Sequence, residues 1–214
     1  MRYLSFVLLI ASPFLAHADD EGVTVIGGCR MEAESRCPGA DLRGADLRHL
    51  DLRKIDLAGA DLSGADLRHA RLDLANLEKA KLAKADLTRA SLQQANLRLA
   101  DFSGARLVAI NGWALHGQAA RFNGADLTAA NLEFARLSAA RLHDANLGAA
   151  NLEMAWLNKA DFKGATLRDA NLQEAKINDA NLENVDLAGA RRHYATFQGT
   201  NMEGCKECPL DWER

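Results

Sequence analysis

The chain has 214 residues, of which 48% are hydrophobic and only 6% aromatic, with a formal net charge of -3. Ala (40) and Leu (33) supply 73 of the 103 apolar positions, against 10 Val and Ile together. With 16 Gly and 4 Cys the chain is neither collagen-like nor disulfide-dense, and a near-balanced 26% of charged residues implies no polyelectrolyte partner. Taken as composition alone, the Ala and Leu excess predicts an all-helical protein.

In chain order, the first predicted element is a secretory signal peptide over residues 1–18. Arg2 supplies the positive start, and Tyr3 to Leu15 is apolar but short of the ~20 residues needed to cross a bilayer. Ala16-His17-Ala18 is a small-x-small cleavage site followed by Asp19-Asp20-Glu21. The pattern points to a bacterial periplasmic or secreted protein with no membrane span after processing, and losing Arg2 takes the net charge from -3 to -4. Residues 19–39 then form an N-terminal cap, in which Val23-Thr24-Val25-Ile26 is expected to be a strand.

From Ala40 to Met202 the sequence repeats every five residues: a small residue, a polar one, a large apolar one, then two variable ones. The small slot recurs at each multiple of five from 40 to 200, and 27 of its 33 occupants are Ala. The third slot (42, 47, 52 and onward) holds 24 Leu, 4 Phe, Ile177 and Met202; Gly112, Gly117 and Arg192 are the exceptions. The second slot is mostly Asp or Asn. An α-helix turns about 100° per residue, so leucines five apart spiral around it and form no stripe. A flat strand fails because five is odd, which sends successive leucines to opposite faces. A short fixed period argues instead for a solenoid that points the small and large slots inward at every turn. The spacing reverses the composition and predicts an all-β chain.

Runs such as Ala40-Asp41-Leu42-Arg43-Gly44, Ala65-Asp66-Leu67-Arg68-His69 and Ala130-Asn131-Leu132-Glu133-Phe134 resemble pentapeptide-repeat proteins, over 163 of the 214 residues (40–202). The resemblance implies a right-handed quadrilateral β-helix with four repeats per coil. Thirty-three repeats would make about eight coils, and stacking at ~4.8 Å gives a rod about 40 Å long. Asp and Asn would stabilise the turns through local backbone hydrogen bonds, and Gly in the last slot would tolerate positive φ. Phe102, Phe122 and Phe162 differ by multiples of twenty and would then share one side.

The stretch 111–121 is irregular. Gly112 and Gly117 replace core residues while Ile110 and Leu115 enlarge the small slot. The ten residues 111–120 either stay in register as two distorted sides or loop out; the first reading keeps Phe102 with Phe122 and Phe162. Trp113 and His116 are expected outside, unless Trp113 or Leu115 turns inward to fill the room left by glycine. Residues 203–214, including Trp212, form a C-terminal cap. If the ends lie about eight coils apart, the ~7 Å Cα limit on a disulfide leaves the pairs Cys29–Cys37 and Cys205–Cys208.

No catalytic or metal site emerges, and no cofactor is expected. His49 and His69, twenty apart, would stack on adjacent coils without a third ligand. The Asp46, Asp66 and Asp86 column is flanked by Arg48 and Arg68 and reads as turn-capping groups on a charge-balanced face. The best candidates are outward apolar residues on one side: Trp113, His116, Phe134, Met154 and Trp156. They predict a non-enzymatic structural or interaction module with a protein partner. A second copy of the chain, through this side or a solenoid end, is the other occupant considered. Some pentapeptide-repeat proteins mimic DNA with an acidic rod and bind topoisomerases; the export signal and the interleaved Arg and Lys depart from that pattern. Nucleic acid is not an expected partner, and a secreted effector is a further reading without a supporting residue.

Overall fold

A computed structural model describes residues 17–18 and 23–209. The leader up to Ala16, the acidic run 19–21 and Trp212 lie outside the described residues. Three short strands come first: β1 (His17–Ala18), β2 (Thr24–Ile26) and β3 (Cys29–Arg30). They form an antiparallel sheet in that order. The β2–β3 hairpin turns on Gly27 and Gly28, both at positive φ (57° and 78°), which a two-residue hairpin of matching twist requires. The strand expected at 23–26 is present over Thr24–Ile26, without Val23, and its end packs inward: Ile26, Cys29 and Met31 are buried against the first coil.

Beyond the hairpin there is no helix among the described residues, and the chain forms an all-β solenoid. One residue in every five bridges, in parallel, to the residue twenty positions on, from Arg36↔Asp56 to Asp186↔Lys206. Four pentapeptides therefore bring the chain back onto itself, which gives the coil four sides. The ladder overruns the sequence repeat at both ends: Ser35 stands where a small residue would, Cys37 where a leucine would, and Cys205 where an alanine would.

The hydrogen bonds of one repeat explain its composition. Ala60 N–H donates to Leu57 O within the turn (3.0 Å), Asp61 N–H to Ala40 O one coil back (2.9 Å), and Leu62 and Gly64 N–H to Lys81 O and Ala83 O one coil on (2.7 and 2.9 Å). Only the fourth N–H, on Ser63, has no backbone acceptor, and Asp61 Oδ1 takes it at 3.1 Å. The second slot is Asp or Asn because its side chain completes the accounting of a repeat that is otherwise paired through its backbone. The fifth slot is left-handed throughout, from Gly44 to Gly204, whether it holds Gly or a side chain such as His49, Leu74, Phe134 or Tyr194. With the i→i+3 bond around it, this is the pattern of a type II turn.

The first and third slots fill the axis. From Ala60 to Ala180 nearly all are fully buried, and the third-slot leucines lie at 0–2% exposure. Phe102 and Phe122 stack at 5.1 Å on one side; Phe162 lies two coils beyond, with Leu142 between. The stretch 111–120 remains in the ladder, through Ser91↔Asn111↔Asn131 and Asn96↔His116↔Arg136. Leu115, 1% exposed, turns inward and occupies the room that Gly112 and Gly117 leave.

Candidate interaction surface

Because each side repeats every twenty residues, the outward slots of one side form columns. One fifth-slot column runs Glu34, Lys54, Leu74, Gln94, Ala114, Phe134, Met154, Glu174 and Tyr194. Three of the most exposed large apolar side chains of the described residues lie in it: Leu74 (51%), Phe134 (40%) and Tyr194 (75%). The left-handed backbone holds each of these side chains at a corner, where it cannot fold back onto the core. Trp113 lies one slot earlier and one coil back, and its ring meets Phe134 edge-on at 6.0 Å. It is half-buried, as are His116 and Met154.

Around the next corner stands the column Asn76, Asn96, His116, Arg136, Trp156, Lys176. Trp156 is 47% exposed and is flanked by cations from the coils on either side of it. Arg136 Cζ lies 5.6 Å and Lys176 Nζ 4.9 Å from its ring centroid. Trp113, His116, Phe134, Arg136 and Trp156 line one open groove of about 360 Å³ with Gln94 and Ala114. The structure thus brings together four of the five candidate residues. Met154 lies outside the groove lining, one coil beyond Phe134. Sequence reasoning missed Arg136 and Lys176, although both lie twenty residues from Trp156 and the coil period points to them. Gln94 also borders a second groove on the same side, of about 380 Å³, whose Lys54 and Arg53 are neutralised by Glu34 and Asp51 at 2.7 and 2.6 Å.

The electrostatics differ along the rod. In the first coils Arg43, Arg48, Arg53 and Arg68 each fork onto the Asp two residues before, with Nε and Nη2 on its two oxygens at 2.6–2.8 Å. The Arg48 fork holds the Asp46 carboxyl down at about 2. At the groove the cations have no carboxylate forked onto them among the described residues. Partial burial, then the charges of Arg136 and Arg98, push the His116 imidazolium pKa below its usual value, so this ring is neutral at pH 7.

Other expected features are placed as follows. His49 and His69 stack at 4.9 Å, and among the described residues no group of three or more His, Cys, Asp or Glu could hold a metal ion. Cys29–Cys37 and Cys205–Cys208 are disulfide-bonded, with Cα atoms 5.6 and 5.8 Å apart. The first ties the β3 strand to a core position of the first coil, and the second closes the last one.

Comparison with known proteins agrees with this construction. A family model described as pentapeptide repeats matches residues 40–78 and 70–107, and a second, described as a pentapeptide repeat region, matches 116–192. No curated protein matches the chain. Among solved structures it is similar to HetL of the cyanobacterium Nostoc sp. strain PCC 7120, a pentapeptide repeat protein involved in heterocyst differentiation regulation. The two are 33% identical over 79% of this chain and 84% of that one, with a TM-score of 0.37. It is also similar to Rfr23 of the cyanobacterium Cyanothece 51142 (29% identity, 56% and 63% of the two chains, TM-score 0.33). QnrB1, a plasmid-mediated fluoroquinolone resistance protein, matches at 18% identity over 80% of this chain and 92% of that one, with a TM-score of 0.45. On the two family models and the identity with HetL, the chain belongs to the pentapeptide-repeat family.

Proposed function

We propose that this protein is an exported, non-enzymatic interaction module: a right-handed quadrilateral β-helix of about eight coils that presents one specialised side to a protein partner in the periplasm or outside the cell. The observation that carries the reading is the convergence of half-buried Trp113 with exposed Phe134 and Trp156 on one groove of the rod. Half-open aromatic walls beside cations are what protein interfaces use as anchors. A rigid ladder holds them at fixed spacing without an ordering cost on binding.

The leader pattern at residues 1–18 supports export. An acidic DNA mimic that binds a topoisomerase fits less well: in the first coils Asp41, Asp46, Asp51 and Asp66 are each paired with an Arg, and the groove itself is basic. A photo-crosslinking residue at position 134, in cells making tagged full-length protein that are then fractionated, tests the reading. It expects a processed, non-cytoplasmic product joined to another protein or to a second copy. An unprocessed cytoplasmic product would remove export, and the absence of any protein adduct at position 134 would remove the interaction side.

A further inference from the structure

The side that starts at each of the residues 95, 115, 135 and 155 departs from the rest of the rod in its second slot. Elsewhere that slot returns to Asp or Asn within two coils, because its side chain caps the turn. Here Asn76 and Asn96, whose amides continue a ladder onto Asp56 (2.9 and 3.1 Å), give way to His116, Arg136, Trp156, Lys176 and Thr196 on five successive coils. The column gives up five turn-capping side chains, and departures from a local rule of folding collect at functional sites. At the centre of the run two cations, Arg136 and Lys176, flank an aromatic ring, Trp156.

The cations are also unspent. In the first coils Arg43, Arg48, Arg53 and Arg68 have an Asp two residues before and fork onto it. Arg98 has Asn96 there, which takes only its backbone N–H, at 3.2 Å. Arg136 and Lys176 occupy the second slot themselves. None of the three has a carboxylate partner among the described residues, and residues 95–99, 115–119, 135–139 and 155–159 include no Asp or Glu. The nearest acids along the chain are Glu133 before Arg136, and Glu174 and Asp179 on either side of Lys176, none of which forms an ion pair with these cations; Glu153 on the adjoining side is occupied by the Asn171 amide at 2.9 Å. Unpaired cations occur elsewhere, as at Arg121 and Arg141, but no exposed aromatic stands between them.

We infer that this side binds an acidic protein segment carrying apolar or aromatic residues, its carboxylates on Arg136 and Lys176 and its apolar side chains on Trp113 and Phe134. This rests on the interaction reading above and deepens it by naming the chemistry of the partner. Arg presents a planar fork suited to carboxylate, and Lys a mobile point charge. A nucleic acid is the less suitable occupant. Cations from the two neighbouring coils sit over the Trp156 ring, so it offers an edge and not a free face for a base to stack on. The chain as a whole is also negative. Complementarity of this kind sets specificity and the rate of encounter.

Fluorescence anisotropy of the processed chain with a fluorescein-labelled random Glu/Tyr copolymer tests the inference, beside polyglutamate and a short single-stranded DNA. The copolymer should bind more tightly than polyglutamate, and Arg136→Glu with Lys176→Glu should weaken it by about tenfold or more, as expected for close charge pairs. The charge-matched control Arg121→Glu with Arg141→Glu should stay within about twofold, since rim charges on another side act only through the screened field. Arg136→Gln with Lys176→Gln, checked for an unchanged melting temperature, separates charge loss from misfolding. Equal losses in both charge reversals, no copolymer binding, or DNA bound more tightly than the copolymer and lost with Arg136 and Lys176, would each overturn the inference. A protein adduct at position 134 that survives Arg136→Glu with Lys176→Glu keeps the interaction module and removes only the acidic partner.

Discussion

A Cβ placed on Gly112 would lie 2.5 Å from Leu115 Cδ2, inside the distance at which carbon atoms can pack. Leu115 is in a small slot and Gly112 in a large one, so the two have exchanged sizes while the ladder around them keeps its register. Neither Gly112 nor Gly117 has positive φ, so both are glycine for space alone.

Gly112→Leu alone should therefore overpack the coil and cost about 1–3 kcal/mol, and Leu115→Ala alone should leave a cavity costing about 2–5 kcal/mol. Together they restore the ordinary order of sizes and should recover most of the loss. A double-mutant cycle by chemical denaturation reads the coupling, and simple additivity would show that the residues do not share one space.

How much of this was legible in the sequence follows from the same geometry. The axis was, because Ala and Leu recur at fixed phase and the phase fixes burial. The four-fold coil came from the family resemblance, and the separation of Phe102 and Phe122 by twenty agrees with their stacking. The ends were less readable: Ser35, Cys37 and Cys205 hold ladder positions without resembling Ala or Leu, so the paired backbone runs further than the repeat. The candidate surface was read from its outward apolar residues, Trp113, Phe134, Met154 and Trp156, with His116 beside them. Arg136 and Lys176 escaped notice because, read along the chain, they are single charges among many. Only the coil period sets them beside Trp156.

At the N-terminal end Gly27 is held by its surroundings as well as its backbone. Its φ is 57°, and a Cβ there would come within 2.8 Å of Asp41 O on the first coil. Gly27→Ala should lift the hairpin and cost about 1–3 kcal/mol of cap docking. Hydrogen exchange should show faster exchange at Met31 N–H, which donates to Thr24 O, with the central coils unchanged.

Acid should loosen the rod from this same end. The Asp46 pKa is depressed to about 2, chiefly by the hydrogen bonds of Arg48, and Asp41, Asp51 and Asp66 are depressed by the forks of Arg43, Arg53 and Arg68. A carboxylate whose folded pKa lies below its unfolded value of about 4 stabilises fully above that value. The contribution is lost as pH falls through the folded pKa. This carboxylate contribution should be flat from pH 7 to about 5 and decline between about 4 and 2, while His116, whose folded pKa is depressed, adds a separate loss as pH falls below about 6.5. In the lower range amides of residues 41–68 should lose protection first, and Asp46→Asn should flatten the slope; uniform loss along the rod would contradict the assignment.

Reduction should act only at the ends. Opening Cys29–Cys37 removes a closed loop of the kind that contributes about 2–4 kcal/mol, so Cys29→Ser with Cys37→Ser should free the cap. Cys205→Ser with Cys208→Ser should speed exchange at Lys206 N–H, bonded to Val185 O at 2.9 Å. Peptide mapping of the alkylated, unreduced protein should return the two local pairs. A Cys29–Cys205 peptide could come only from two chains.

The bridge from each residue to the one twenty further on gives the rod an angular reading frame. Inserting or deleting whole multiples of twenty residues lengthens or shortens it and leaves every column intact. Removing a single pentapeptide between Trp113 and Phe134 would preserve the repeat, the core and the hydrogen bonds. Everything beyond the cut would turn by one side, which would part Trp113 from Phe134 while leaving Phe134 beside Trp156. Change in this protein is therefore quantised: a length change that folding tolerates can still dismantle the surface, and only every fourth step returns it.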